Sequence, residues 1–245
     1  MAQSPEEPSR LWSYLTEDLR EDLMLESELL LLSFATGIQD AASWVDYGCF
    51  ASNQTGNTLF LAIGAAGFGG NSNSLPNIGM SLGAFLAGGL IIGQIGHYFG
   101  ARKRLWLFIS SLLQTAMVYT AAAIQYQVIV SREGPAALVV LFLLAFSSGA
   151  QVALGRSLKI TDITTAMATA AYIDVMADSN LLKLKNRQRN RRVGFLLMLT
   201  AGCFAGAFME RAVNSTFSIV MCAVGKTLVT FAFLFNEPIK EKSEM

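Results

Sequence analysis

Between two apolar runs this chain reads TGIQDAASWVDYGCFASNQTGNT, residues 36–58. Gln39, Asp40, Asp46, Asn53, Gln54 and Asn57 lie in that stretch. A polar group without a partner at hydrocarbon depth costs several kcal/mol. A fold that keeps so many there has to give each a protein partner or an enclosed aqueous space, and such clusters mark functional sites.

Composition makes the surroundings a membrane. Hydrophobic residues form 53% of the 245 positions, charged residues 15%, and there are 21 glycines, which is too apolar for an ordinary soluble domain. The charges gather in residues 1–28, 102–104, 183–192 and 236–245, so the stretches between them read as spans and the clusters as loops and tails. The fold class is all-α, a polytopic helical membrane protein whose first partner is the lipid bilayer. A formal net charge of zero gives no basic face for nucleic acid, and KLKNRQRNRR reads as a cytosolic membrane flank. Residues 1–28 are acidic and carry no signal peptide, which keeps this segment, and with it the C-terminal tail, in the cytosol. Leu11, Trp12, Leu15, Leu19 and Leu23 recur at helical spacing and predict a short amphipathic helix docked on the protein itself. Cys49, Cys203 and Cys222 are isolated in apolar surroundings and read as buried thiols, with no disulfide, metal or cofactor implied.

A full span needs about 20 apolar residues. Residues 78–99, 105–125, 136–154 and 217–235 qualify, and 193–209 is a shorter fifth. Residues 29–44 are interrupted by Gln39 and Asp40, whereas 59–68 and 163–176 are too short to cross. The two short pieces correspond, because LLSFATGIQDA at 31–41 matches LLAFSSGAQVA at 143–153, with Gly37 on Gly149 and Gln39 on Gln151. Each copy then reaches a second polar knot, NQTGNT or TDITTAMAT, and a helix rich in small residues. The expected organisation is two repeats, 29–126 and 136–235, of the sort found in secondary transporters. If each polar-motif helix and the short segment after it make one net crossing, by half-helices or a re-entrant turn, the total is six. Both basic loops and both termini then share one side, as the positive-inside tendency asks, and the repeats are inverted. The alternative is eight spans in a parallel 4+4 arrangement.

A helix broken at Thr36-Gly37 and again at Thr55-Gly56-Asn57 leaves backbone groups free inside the membrane, and half-helix starts favour an anionic group. Gln39, Asn53, Gln54, Thr55, Asn57 and Thr58 can bond a polar ligand, or can simply tie the broken helices together. Asp40 is the sharpest single candidate. A carboxylate in such a place either pairs with a cation, for which Lys226 is the available counter-ion, or takes up a proton during a cycle. Gln151, Thr164, Thr165 and Thr169 are the second copy's counterparts, though the threonines can equally bond their own helix. The glycines of residues 83–96, with Gly202 and Gly206, read as close helix packing and not as a ligand site.

TGIQDAASW followed by FASNQTGNTLFLAIG resembles the signature of the YoaK/UPF0700 family, also called DUF1275, with its TG-x-x-DA helix and QTGN segment. The second copy, GAQ followed by TTAMATAAYID and RNRR, is similar to the fungal branch of that family. The resemblance covers residues 29–235 and implies a multi-pass membrane protein without naming a substrate. Val152 stands where the first copy has Asp40, so any carboxylate role is asymmetric between repeats. The leading functional expectation is a small-solute permease or secondary transporter, either alone or as a homo-oligomer. A membrane scaffold or partner subunit is the second reading, and an enzyme pairing Asp40 with Asp174 the third. One histidine and the lack of GxGD, GxSxG or paired-histidine motifs argue against hydrolysis, and the lack of a GxxxxGK[ST] loop argues against an ATP-driven pump.

Overall fold

The computed structural model describes residues 10–68, 74–128 and 131–239. Among these residues the chain forms helices α1 (Arg10–Thr16), α2 (Leu23–Tyr47), α3 (Gln54–Ala65), α4 (Leu75–Phe99) and α5 (Arg104–Gln127). They are followed by α6 (Pro135–Ser157), α7 (Ala168–Met176), α8 (Arg187–Ala212) and α9 (Ser215–Ala232), and among the described residues the strand-like pairing is two isolated bridges. The starts are written locally. Asp22, Asn53, Asn186 and Asn214 accept from Leu25 N, Gly56 N, Arg189 N and Phe217 N at 2.8–3.3 Å, satisfying an N–H that a helix start leaves free. Proline occupies the first turn of α4 and of α6, where its missing N–H costs nothing. At its far end α2 stops on Gly48, whose φ of 66° turns its N–H back to Trp44 O.

Helices α4, α5, α6, α8 and α9 are long and apolar enough to cross a membrane. With 25 residues α2 matches them in length. Packing fixes the relative directions. Leu30, Phe34 and Ile38 of α2 meet Gly194, Gly202 and Gly206 of α8 in order, so these helices are parallel. Phe146 and Ala153 of α6 meet Gly88 and Gly93 of α4 in the same sense. In contrast, α9 runs against α5, with Thr230 bonded to Ser111 and Thr115 and Thr227 bonded to Tyr119. It also runs against α2, since Cys222 reaches Gln39 while Ser215 reaches Asp46. Trp106 packs on Phe99 and Gly96 across the α4–α5 turn. The six long helices therefore alternate in direction along the chain. Helices α3 and α7, 12 and 9 residues long, extend about 18 and 14 Å at 1.5 Å per residue, well short of a hydrocarbon core of about 30 Å. Helices this short cannot each span, which speaks against the eight-span alternative, and five of the six long helices are apolar enough to cross.

The end where α2 begins is tied by charge. Arg104 is 0% exposed, donates to the carbonyls of Tyr14, Phe233, Leu234 and Asn236, and covers the Tyr14 ring. Arg191 of α8 pairs with Glu21 and Glu26, and Arg191 and Arg192 both meet Asp162. At the other end Asn77 donates to Tyr47 O and Arg132 O, and Gln125 joins Asp46, Tyr47 and Ser215.

Three expectations change. α2 runs unbroken through Gly37, because the glycine serves an approach and not a break: a Cβ there would lie 2.3 Å from Leu199 O. The N-terminal amphipathic pattern is helical only as far as Thr16; Leu19 is buried in an extended bridge to Pro238, while Leu11 and Trp12 stay exposed. Cys203 is exposed, whereas Cys49 and Cys222 are buried.

Candidate functional site

After Gly48 the chain turns back from the end of α2 to the level of Asp40. Ser52 donates its N–H to Asp40 Oδ1 at 2.7 Å and its Oγ–H to Oδ2 at 2.5 Å. Asn57 clamps the same loop, accepting from Phe50 N and donating to Phe50 O, and Ser81 of α4 donates to that carbonyl at 2.6 Å. From this depth α3 returns antiparallel to α4, its first turn beside Ser81 and Gly64 against Leu75. The segment after α6 does the same from the opposite end. It starts at Leu158, whose carbonyl Arg102 holds, passes Asp162 and climbs to Met167 before α7 returns toward Arg192, which pairs with Asp174. Thr164 Oγ1 fixes that turn through Met167 N and O.

The two re-entrant segments meet at one cavity of about 690 Å³. Ser52, Asn53, Gln54 and Thr55 face it at the start of α3, and Met167, Ala168, Thr169 and Ala170 at the start of α7. Asp40, Trp44 and Val45 of α2, Phe85 of α4, and Leu199, Cys203 and Ala207 of α8 complete most of the wall. Trp44 stacks on Phe50 at 4.9 Å. Two helix starts therefore border one mostly apolar space, with the positive ends of their dipoles nearest it. The Asp40 carboxylate beside them is engaged by Ser52.

The sequence candidates divide on this geometry. Asp40, Asn53, Gln54, Thr55 and Thr169 line the cavity. Gln39, Asn57 and Gln151 are 0–2% exposed and tie helices together. Gln39 donates to Leu144 O and to Ser148 Oγ at 2.7 Å, and Gln151 donates to Thr36 Oγ1 at 2.8 Å. Thr164 holds its turn, and Thr165, at φ 61°, is buried beside Gly155. Lys226 stands apart from Asp40: its Nζ donates to Gln151 Oε1 at 2.5 Å, and no carboxylate among the described residues lies within ion-pair distance. Trp44, Phe50, Phe85, Leu199 and Cys203 were outside the sequence candidates, because an apolar wall residue in a membrane chain looks like any lipid-facing one.

Alternating long apolar helices, with two short segments that enter from opposite ends and a cavity between them, define a polytopic helical membrane protein. The chain belongs to the family described as protein of unknown function, DUF1275, which matches residues 29–232. No curated protein and no solved structure matches it.

Proposed function

We propose that the protein is a permease or secondary transporter for a small solute, with the cavity at the starts of α3 and α7 as its mid-membrane site. The observation that carries this reading is that re-entrant half-helices from opposite ends of the bundle start at the same space, an arrangement suited to holding a polar solute head while the remainder contacts Trp44, Phe50 and Phe85. A scaffold needs no such space, and the Asp40–Asp174 pair of an enzyme reading is not supported, since Asp174 meets Arg192 and lies outside the cavity wall.

In this reading the chain is two inverted repeats, α2–α5 and α6–α9. Corresponding contacts support it. A Cβ on Gly202 would meet Phe34 O at 2.0 Å and one on Gly88 would meet Phe146 O at 2.2 Å; Gly37 and Gly149 repeat the relation with Leu199 O and Phe85 O at 2.3 and 2.0 Å. The Gln39–Ser148 and Gln151–Thr36 bonds are likewise exchanged by the repeat. The end where α2 begins carries 13 of the 15 described Lys and Arg residues outside the helix interiors, Arg132 and Arg211 being the others, and is assigned to the cytosol on the positive-inside tendency. From Asp40 the cavity wall extends through Ala41, Trp44 and Val45 toward the opposite end, while ion pairs tie the cytosolic one.

Cys203, in the cavity wall, is the natural reporter. In sealed vesicles of uniform orientation, a membrane-impermeant maleimide is expected to label Cys203 from the non-cytosolic face and to leave Cys49 and Cys222 unmodified. Within a panel of small carboxylates, amino acids and neutral metabolites, the solute that slows this labelling is also expected to be taken up. Labelling indifferent to every solute, together with no uptake, would sink the transporter reading.

A further inference from the structure

Glu28 lies on α2 immediately before the apolar stretch that begins at Leu29, at the end tied by charge, and is 5% exposed. Asn236, past the end of α9, is 2% exposed. The Asn236 Nδ2–H donates to Glu28 Oε2 at 3.0 Å. The remaining oxygens of the same two groups, Glu28 Oε1 and Asn236 Oδ1, are buried acceptors with no hydrogen-bond partner. Two acceptors left without a donor, on side chains already joined through their other atoms, form an arrangement that one hydrogen completes.

The geometry points to a proton-binding site: Glu28 carries a hydrogen on Oε1 and donates it to Asn236 Oδ1, closing an acid–amide ring that latches the C-terminal segment to α2. A metal ion is a poorer occupant, since hard cations take about six oxygen ligands or more and, among the described residues, Glu28 Oε1 and Asn236 Oδ1 are the two unpartnered buried side-chain acceptors on this pair. The surrounding charges do not compensate an ionised Glu28. From α5, Arg104 is directed to the carbonyls of Phe233, Leu234 and Asn236 and to Glu17. From α8, Arg187 and Arg191 are held by Glu26 and Glu21, and Arg20 is held by Glu237 and Asp22. Burial pushes the Glu28 carboxyl up, the Asn236 hydrogen bond opposes this, the Asp22 carboxylate adds to it, and the outcome is about 8. The latch fastens a segment that also pairs with the N-terminal stretch through Arg20 N to Glu237 O and Ile239 N to Asp18 O.

The sign follows from linkage. Glu28's contribution is complete below its ordinary value of 4.5, falls as pH rises from there, and is gone above about 8. The test uses the full chain in lipid nanodiscs, comparing wild type with Glu28→Gln, whose amide reproduces the donor and acceptor of the protonated acid. Between about pH 5 and pH 9 the wild type is expected to lose roughly 5 °C or more in apparent Tm relative to E28Q. An infrared difference spectrum at neutral pH should hold a protonated-carboxyl C=O stretch in wild type that E28Q lacks. In wild type alone, amide protection over residues 234–239, corrected for intrinsic exchange, should fall by about tenfold as Glu28 ionises. Parallel pH curves with no difference band overturn the proposal, as does unchanged protection across that range or an E28Q variant that fails to fold.

Discussion

Gly149→Ala is expected to lower stability by about 3 kcal/mol, the upper part of the range for overpacking a close contact. The added Cβ would stand 2.0 Å from Phe85 O and 2.8 Å from its carbonyl carbon. Both are backbone atoms of α4, so no side chain can rotate away, and the helices must separate. In lipid, helix association rests largely on such packing, because the hydrophobic effect does not distinguish a lipid tail from a leucine. Separation also strains the interlocked contact at Gly88, where Phe146 O would lie 2.2 Å from a Cβ. Gly83→Ala is the control. Nothing lies within 4 Å of its Cβ position, so only helix propensity changes and the variant should gain roughly 1 kcal/mol. Apparent Tm and monodisperse yield in detergent, measured for both variants and for the corresponding Gly202→Ala, check the pair. Equal behaviour of Gly149→Ala and Gly83→Ala would mean that the α4–α6 approach is not as close as described.

The long helices were legible because charge segregation and apolar length are direct consequences of the bilayer, and the charged clusters at 102–104 and 183–192 indeed lie at one end of the bundle. The two short helices were legible in kind, since apolar stretches of that length cannot span. Where the turn falls was not. Thr36-Gly37 looks like a break because glycine and threonine weaken a helix on paper, yet in this fold the missing Cβ admits the α8 backbone, a tertiary use that has no local signal. The actual turn, Gly48 to Asn53, is written in the left-handed C-cap and the Asn53 cap. Polar residues were equally ambiguous at the site. Gln39, Asn57 and Gln151 have the same chemistry as Asn53, Gln54 and Thr55, and only the helix face each occupies decides whether it meets another helix or the cavity. Lys226 was the nearest cation in composition, but it lies on the α9 face that meets Gln151, so the buried polar layer between α2, α6 and α9 is separate from the cavity.

Asp40→Ala is expected to cost about 3 kcal/mol, because it leaves the Ser52 N–H and hydroxyl without their acceptors, at about 1–3 kcal/mol for each buried orphan. Ser52 is 4% exposed, so water does not readily replace the carboxylate, and the loop that sets the start of α3 loosens with it. Asp40→Asn should cost only about 1 kcal/mol: one amide oxygen still accepts from Ser52 N, and the amide N–H donates to Ser52 Oγ, which reverses its role. These two variants separate an anchor from a charge that takes part in a cycle. If Asp40 only positions the re-entrant loop, Asp40→Asn keeps both solute protection of Cys203 and uptake, while Asp40→Ala loses both together with stability. If its ionisation drives transport, Asp40→Asn stays folded, still protects Cys203 and fails to accumulate solute against a gradient. The network in which both carboxylate oxygens are engaged by Ser52 favours the first outcome. A stable Asp40→Ala variant with its loop unchanged in hydrogen exchange would overturn the anchoring role altogether.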